Sequence, residues 1–222
     1  MSPKTYWIID KTVGSILCLF LTLFRKIFHL FFAQTARPSP QRILIIKLTE
    51  MGSTVLAYPA FDELKRRIEG LELFILTFDE NKLILPYLDI FNESNIVCID
   101  TSNFKNLVKS AINSLIFLKK KKIDTVFDFD FFSRLTNAYS FLLCRGNRIG
   151  FFRYSIEGLY RGDLLTHNAI FSCHIHTSEA FLALIRSILN KSDNCMFYKS
   201  KIECNEIALP KINQSRHLRN AL

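Results

Sequence analysis

Short apolar runs and segments with helical periodicity alternate along the chain from Arg42 onward. The apolar runs predict β-strands at 43–46, 71–78, 95–99, 125–129 and 148–151. The first run is apolar at every position, which is typical of a strand covered on both faces of a parallel sheet. Alternating strands and helices predict an α/β fold with helices on both faces of the sheet.

Between these strands, apolar residues recur every three or four positions, which predicts connecting helices. The pattern places helices at 54–69 and 82–88, from about 107 to 122, and at 133–144 and 180–189. Ser53 or Thr54 is expected to cap the first helix, and Ser133 the fourth. These elements define a sheet whose strand ends carry the candidate chemistry.

The turn after the first predicted strand is the most informative segment. Gly52 permits a sharp change of backbone direction between strand and helix. The N–H groups at the start of the helix then lie beside the C-terminal end of the strand, where open α/β sheets bind ligands, often anionic ones. An ordinary βα unit without a ligand has the same pattern, so both interpretations stay open.

The N-terminal segment at 13–33 is apolar enough to suggest a spanning helix, but Arg25 and Lys26 lie near its middle. Each costs roughly 2.5–3.5 kcal/mol at the centre of a spanning helix. The polar residues instead follow one narrow stripe, which predicts an amphipathic helix with a basic rim in the membrane interface; they are Lys11, Ser15, Cys18, Thr22, Arg25, Lys26 and His29. A spanning or re-entrant helix, and a helix packed on the protein's own core, are the alternatives. Membrane contacts are expected at Trp7, Phe20, Phe24, Arg25, Lys26 and Phe28.

The net charge of +9 is distributed unevenly. Residues 1–42 contain six Lys and Arg side chains and a single acid, Asp10. A basic and strongly apolar start favours an anionic membrane surface over nucleic acid as the partner. The six cysteines include no C-x-x-C pair, which argues against a disulfide framework or a metal site and favours the cytoplasm. No metal or cofactor is expected.

Three stretches resemble glycosyltransferase family 9, the ADP-heptose:lipopolysaccharide heptosyltransferase family. The first matches the family's basic residue, Ser/Thr and Gly at Lys47, Thr49 and Gly52, and has Ser53 where the family has Asp. The second is the strand, polar-aromatic loop, helix and R-I-G-F strand at 125–151, and the third is the H-T-S-E start of the last helix at 176–179. Their order and spacing make the resemblance fairly specific.

The resemblance implies one half of a GT-B two-domain architecture. Residues 42–189 would form a Rossmann-like, acceptor-side domain, preceded by the amphipathic membrane-associated helix and a linker at 1–41. Residues 190–222 are expected to be a polar linker or tail, with the second, donor-binding domain absent.

The resemblance also implies site residues. The family Asp is thought to deprotonate the acceptor hydroxyl, so Ser53 departs from the family at the catalytic position, and Glu50 is the nearest alternative carboxylate. Asp79, Asp128 and Asp130 follow other strands and can reach the same cleft. An anionic acceptor is expected to contact Lys47, Thr49, Gly52, Ser133, Arg134 and Arg148.

These features predict transfer of heptose or a related sugar from an ADP-sugar to a lipopolysaccharide-type or other surface-glycan acceptor. The reaction would take place at the cytoplasmic face of the inner membrane, with a lipid-linked or glycan acceptor, no nucleic acid, and a donor bound through a missing or separate domain. The alternative is a non-catalytic acceptor-binding or scaffold protein on the membrane, or a truncated fragment of a longer glycosyltransferase. Ser53 in the Asp position favours that alternative.

Overall fold

One parallel sheet of six strands forms the centre of the protein. The structure, a computed structural model, describes residues 3–31, 38–131, 133–152, 162–172 and 174–189. Its strands are β1 (Arg42–Ile46), β2 (Glu72–Phe78), β3 (Ile96–Ile99), β4 (Thr125–Asp128), β5 (Asn147–Phe152) and β6 (His167–Ile170). They lie in the order β3-β2-β1-β4-β5-β6, and each neighbouring pair is parallel.

The parallel α/β fold and the five predicted strands are confirmed. The central strand β1 pairs with β2 on one side and with β4 on the other, and its residues Ile43–Ile46 are fully buried. The sequence pattern does not predict β6, because its residues His167 and Asn168 are polar and leave only two apolar positions.

Helices cover both faces of the sheet. Along the chain they are α1 (Pro3–Ile9), α2 (Ser15–Phe31), α3 (Met51–Leu56), α4 (Tyr58–Arg67), α5 (Leu85–Leu88), α6 (Phe104–Lys120), α7 (Arg134–Leu143) and α8 (Thr177–Leu189). A π-helical turn at Asp10–Gly14 joins α1 to α2. Short 3-10 turns lie at Asp79–Ile84 and Glu93–Asn95.

Each face of the sheet has its own apolar core. On one face, α4, α5 and α8 pack around residues such as Phe61, Leu64 and Phe181. On the other face, α6 and α7 pack around Leu44 and Phe74, among others. The N-terminal helix α2 lies in this second layer beside α7, where a small cluster joins the two helices. We call α2, α7 and α6 the second helical layer.

The turn between β1 and the first helix differs from the prediction. The predicted helix at 54–69 begins earlier, at Met51, and is divided at Ala57 into α3 and α4. The left-handed residue is Glu50, at φ 65°, and not Gly52, which lies inside α3. Neither Ser53 nor Thr54 caps the helix, because both hydroxyls donate to the Glu50 carbonyl.

The predicted N-terminal helix is present, but the middle of its polar stripe, at Cys18, Thr22 and Arg25, faces the body of the protein, whereas Lys11 and Lys26 are exposed. The Thr22 hydroxyl accepts from the Asp163 N–H at 3.0 Å, and the Cys18 thiol donates to the Arg134 carbonyl at 3.4 Å. Arg25 forms an ion pair with Asp163 and is therefore placed against the body and not at a membrane rim. Gly14 lets the N-terminal segment lie close to the start of α7, because a Cβ at this position would be only 2.8 Å from the Arg134 Cβ.

Asp10 anchors the N-terminal helices to the body. One oxygen of its carboxylate accepts hydrogen bonds from the Ser133 hydroxyl and the N–H groups of Arg134 and Leu135, at 2.8–2.9 Å. Its other oxygen accepts from the Arg134 guanidinium at 3.1 Å. A carboxylate at the start of a helix is favoured by the exposed N–H groups and by the helix dipole. The only acid of residues 1–42 therefore caps α7 together with Ser133, the predicted cap.

We expect Asp10→Ala to destabilise the protein by about 3 kcal/mol, the lower end of the range for removing one partner of a buried ion pair. The Asp10–Arg134 pair is almost fully buried. Urea unfolding of both proteins measures the change. The matched control is Asp163→Ala, which removes the more exposed ion pair of the same helix and is expected to cost at most about 1 kcal/mol. Equal losses in the two variants would contradict the anchoring role.

Candidate functional site

The candidate site lies where the direction of the sheet connections reverses. The chain leaves β1 towards β2 on one side, whereas β4 lies on its other side and leads to β5. In open parallel sheets, the crevice at the C-terminal ends of such a strand pair is the usual ligand site. The loop at 47–50 follows β1, and residues 129–131 and Ser133 follow β4. These two loops form the walls of the site.

A buried carboxylate joins the two loops. Asp130 accepts a hydrogen bond from the Lys47 ammonium at 3.3 Å and from the Leu48 N–H at 3.0 Å. Lys47 is only 1% exposed, so this pair is removed from solvent. On the other side of the loop, the Asn81 side-chain amide donates to the Leu48 carbonyl. The β1 loop is therefore fixed from two neighbouring strands.

A second buried carboxylate lies directly behind Asp130. Asp128 accepts from the Thr136 hydroxyl at 2.7 Å and from the Asp130 N–H at 3.1 Å. Burial raises the pKa of Asp128 well above its ordinary value, and the charge of Asp130 raises it further. Burial also raises the pKa of Asp130, whereas Lys47 acts in the opposite direction. The arrangement favours a proton on Asp128 and a charged Asp130 paired with Lys47.

Glu50 brings an exposed carboxylate to the open side of the site. Its left-handed backbone is uncommon for a residue other than glycine and marks local strain. The Ser53 hydroxyl lies 3.1 Å from the Glu50 carboxylate and 2.9 Å from its carbonyl oxygen. The space in front of Gly52 is open, since a Cβ placed there would have no neighbour within 4 Å. The Glu50 carboxylate is therefore accessible to a ligand at the open side of the turn.

The N-terminal helices close the opposite side of the site. The Tyr6 ring packs edge-on against Phe78, with centroids 5.4 Å apart, and its hydroxyl lies 3.2 Å from the Ser133 hydroxyl. Burial and the nearby carboxylates raise the pKa of Tyr6, so the phenol stays neutral. The sequence pattern does not place Tyr6 or Asp10 in the site; the only signal is that Asp10 is the sole acid of a basic segment.

The predicted acceptor residues separate into two groups. Lys47, Thr49, Gly52, Ser133 and Arg134 all lie at the C-terminal ends of β1 and β4. The structure does not bring Arg148 to them. It is almost fully buried within β5, donates to the carbonyls of Cys144 and Leu164, and stacks on Phe141. Arg134 is buried as well, against Asp10. Thr49, Glu50 and Gly52 are therefore the parts of the site within reach of a ligand.

The predicted membrane residues fall mostly on one exposed face. Trp7 is 58% exposed, Phe20 65% and Phe24 52%, and Lys26 is exposed as well. The side chain of Phe28 lies outside the described residues. Tyr6–Ile27 is long and apolar enough to cross a membrane, by length and composition. Among the residues that the structure describes, no cluster of His, Cys, Asp and Glu could hold a metal ion.

The same fold occurs in solved glycosyltransferases. The E. coli heptosyltransferase WaaC, solved with ADP-2-deoxy-2-fluoro heptose, superposes with a TM-score of 0.57 over 71% of this chain, at 16% sequence identity. The family 9 glycosyl transferase of Veillonella parvula superposes with a TM-score of 0.58 over 72% of this chain, at 13% identity. No protein-family model and no curated protein matches the sequence.

This likeness shows the fold. The chain is Rossmann-like, of the type found in heptosyltransferases and related glycosyltransferases. It covers 51% of the length of WaaC and 44% of the Veillonella protein, so it spans about half of these structures.

The raised pKa of Asp128 predicts a pH-dependent stability. Its pKa is higher in the folded than in the unfolded protein, so stability falls as the pH rises above the unfolded value of about 4. In Asp128→Asn the amide oxygen can still accept from the Asp130 N–H, and the amide nitrogen can donate to the Thr136 hydroxyl, which then donates to the Ser133 carbonyl. The amide has no such proton to lose. We expect the stability of this variant to fall less than that of the wild type between about pH 4 and pH 8.

Urea unfolding at several pH values tests this prediction. The control is Asp100→Asn, because the Ser102 side chain and N–H lower the pKa of that exposed carboxyl and no stabilisation is expected. If the stability of D128N followed the wild-type pH curve in parallel, the proposed protonation of Asp128 would be wrong.

Proposed function

We propose that this chain is the acceptor-side half of a membrane-associated glycosyltransferase that uses an ADP-activated sugar, heptose or a related one. The proposal is based on the turn at Lys47–Ser53. This turn presents the exposed Glu50 carboxylate at the C-terminal end of β1, where the sheet connections reverse direction, in a fold of the heptosyltransferase type. The acceptor is a lipopolysaccharide-type or other lipid-linked glycan. WaaC has been solved with ADP and with an ADP-sugar analogue, which supports a nucleotide-sugar donor.

Glu50 is the proposed general base, in place of the carboxylate expected at Ser53. Its side chain is exposed at the open side of the site. In the reaction it takes the proton from the acceptor hydroxyl, whose oxygen then bonds to the anomeric carbon of the sugar as the bond to the diphosphate breaks and ADP leaves. General-base assistance of this kind contributes roughly 10²–10⁴-fold to the rate. The Ser53 hydroxyl holds the carboxylate in position through its 3.1 Å hydrogen bond.

The buried cations have a supporting role in this proposal. Lys47 and Arg134 are each paired with a buried aspartate, Asp130 and Asp10. Both cations therefore hold the loops in place. An acceptor phosphate first meets the half-buried Thr49 and the exposed backbone at Gly52. Of the residues predicted to contact the acceptor, this assignment keeps Thr49 and Gly52, at the accessible side of the turn after β1.

Membrane association is proposed from the way α2 is packed. Cys18, Leu21 and Thr22 face the body, and five large apolar residues are exposed on the outer side: Ile16, Leu19, Phe20, Leu23 and Ile27. An exposed apolar face of this size on one helix marks an interaction site. Trp7, with the Lys11 ammonium 5.0 Å from its ring centre, suits the headgroup level at one end of that face.

The packing favours a helix that lies in the interface over one that spans the bilayer. Asp10 at the start and Arg25 near the end of the helix both contact the body. If the helix spanned the bilayer, these contacts would place the charged body of the protein within the hydrocarbon layer of the membrane. The cytoplasmic face of the inner membrane is the proposed location, and the free thiols of Cys18, Cys98 and Cys144 are consistent with a reducing compartment.

The second candidate is a non-catalytic protein that binds the acceptor on the membrane. Ser53 in place of the expected carboxylate and the match to about half of the length of the solved enzymes favour it. The two candidates differ in what Glu50 does. In a transferase, Glu50→Gln abolishes turnover and leaves acceptor binding intact, whereas a binding protein shows no turnover to abolish.

We expect Glu50→Gln to lower sugar transfer by about 10²–10⁴-fold, because an amide cannot accept the acceptor's proton. Transfer is measured as incorporation of radiolabel from ADP-heptose into the lipid fraction of membranes from the source cells. The control is Glu69→Gln, another exposed carboxylate, which lies beyond the end of α4. Wild-type transfer by E50Q would rule out Glu50 as the base, and no transfer by the wild-type chain would favour the binding protein.

We expect Phe20→Ser combined with Leu23→Ser to weaken binding to phosphatidylglycerol-containing vesicles at least about tenfold, since each buried apolar side chain contributes roughly 1.5–3 kcal/mol. Both side chains are exposed, so the fold is retained. Vesicle co-sedimentation measures the change. The control is Leu83→Ser, at an exposed position in the segment that leads to α5 on the other face of the sheet. An unchanged affinity of the double variant would refute the proposed membrane face.

A further inference from the structure

Helix α6 has a second apolar stripe that nothing in the described structure covers. Phe104, Val108, Ile112 and Ile116 are spaced four residues apart and therefore share one side of the helix. They are 57%, 39%, 52% and 49% exposed. The helix packs on the sheet through a different side, with Leu107, Ala111, Leu115 and Leu118. Apolar residues thus line two sides of α6, and only one of them is buried.

All the charged residues of α6 and of the two residues after it are lysines. Residues 104–122 contain six lysines and no acid. Lys105 and Lys109 are exposed beside the stripe, and Lys119, Lys120 and Lys122 are exposed at the end of the helix. A basic rim around an apolar stripe is the pattern of a helix that binds an anionic lipid surface, where each lysine near the surface adds to the affinity.

The position of α6 in the fold supports the same partner. The helices α6, α7 and α2 all lie in the second helical layer, on one face of the sheet. The exposed stripe of α6 and the exposed face of α2 are therefore on the same side of the sheet. Leu142, on α7 between them, is also 42% exposed. A protein partner would need acidic groups to match the lysines, whereas an anionic bilayer offers a broad surface that meets both helices.

We propose that the α6 patch, formed by Phe104, Val108, Ile112 and Ile116 with Lys105 and Lys109, is a second contact surface for an anionic lipid bilayer. The protein then lies with its second helical layer on the membrane, held at two separate places. The candidate site, at the C-terminal ends of β1 and β4, opens at the edge of that layer. It then lies alongside the headgroups from which a lipid-linked acceptor projects. The inference rests on the membrane association proposed above. It extends the proposed membrane contact from α2 alone to the second helical layer.

The single tryptophan of the chain, Trp7, makes a direct test available. In the Trp7→Phe background, Ile112→Trp moves the only tryptophan into the α6 patch. Adding vesicles of phosphatidylglycerol and phosphatidylethanolamine is expected to shift its emission to the blue, and brominated phosphatidylcholine in the same vesicles is expected to quench it. The matched control is Leu83→Trp in the same background, where no shift is expected. Leu83 is exposed, and its neighbours Ile84 and Leu85 pack on the other face of the sheet.

The outcomes separate this proposal from the one on which it rests. Quenching of Trp7 in the parent chain without quenching at position 112 would leave α2 on the membrane and refute the α6 patch. No quenching at either position would refute membrane association itself. A blue shift at position 112 that grows with protein concentration and needs no vesicles would show that a second copy of the chain covers the patch, which also overturns the proposal.

The lysines give an independent readout. We expect Lys105→Gln combined with Lys109→Gln to weaken binding to phosphatidylglycerol vesicles at least about tenfold and to leave the weaker binding to phosphatidylcholine vesicles unchanged. The control is Lys65→Gln, an exposed lysine of α4 on the opposite face of the sheet. Equal affinities of the double variant and the wild type for anionic vesicles would overturn the electrostatic part of the proposal.

Discussion

The candidate site depends on the buried carboxylate of Asp130. It pairs with Lys47 and accepts the Leu48 N–H, so it fixes the loop after β1 against the loop after β4. A buried ion pair of this kind adds little net stability, because desolvation offsets the attraction. Its effect is geometric: it holds Lys47 and Leu48 in place, and the chain then turns at Glu50, whose carboxylate is exposed on the open side of the site.

The N-terminal segment belongs to the folded domain and is not an appended anchor. Asp10 caps α7, and Tyr6 closes one side of the strand-end crevice. Thr22 and Arg25, from the predicted polar stripe, attach the helix to the body, and large apolar residues such as Phe20 stay exposed. One helix thereby connects the site to the surface proposed to contact lipid.

The sequence predicts those parts of the fold that depend on local pattern. The apolar run of β1 and the Ser133 cap follow from neighbouring residues, and the structure confirms both. The strand β6 is not predicted, because its pairing with β5 compensates for the polar His167 and Asn168. The left-handed turn at Glu50 and the cap by Asp10 depend on partners 80 or more residues away, at Asp130 and Arg134, which no local pattern reveals.

We propose that the turn after β1 supplies a catalytic carboxylate even though Ser53 replaces the expected one. Adding Ser53→Asp to the Glu50→Gln variant and measuring sugar transfer from ADP-heptose to lipid tests this proposal. We expect the new carboxylate, beside the open space at Gly52, to restore transfer at least about tenfold, a part of the 10²–10⁴-fold effect of a general base. A folded double variant that remains as inactive as E50Q alone would contradict it.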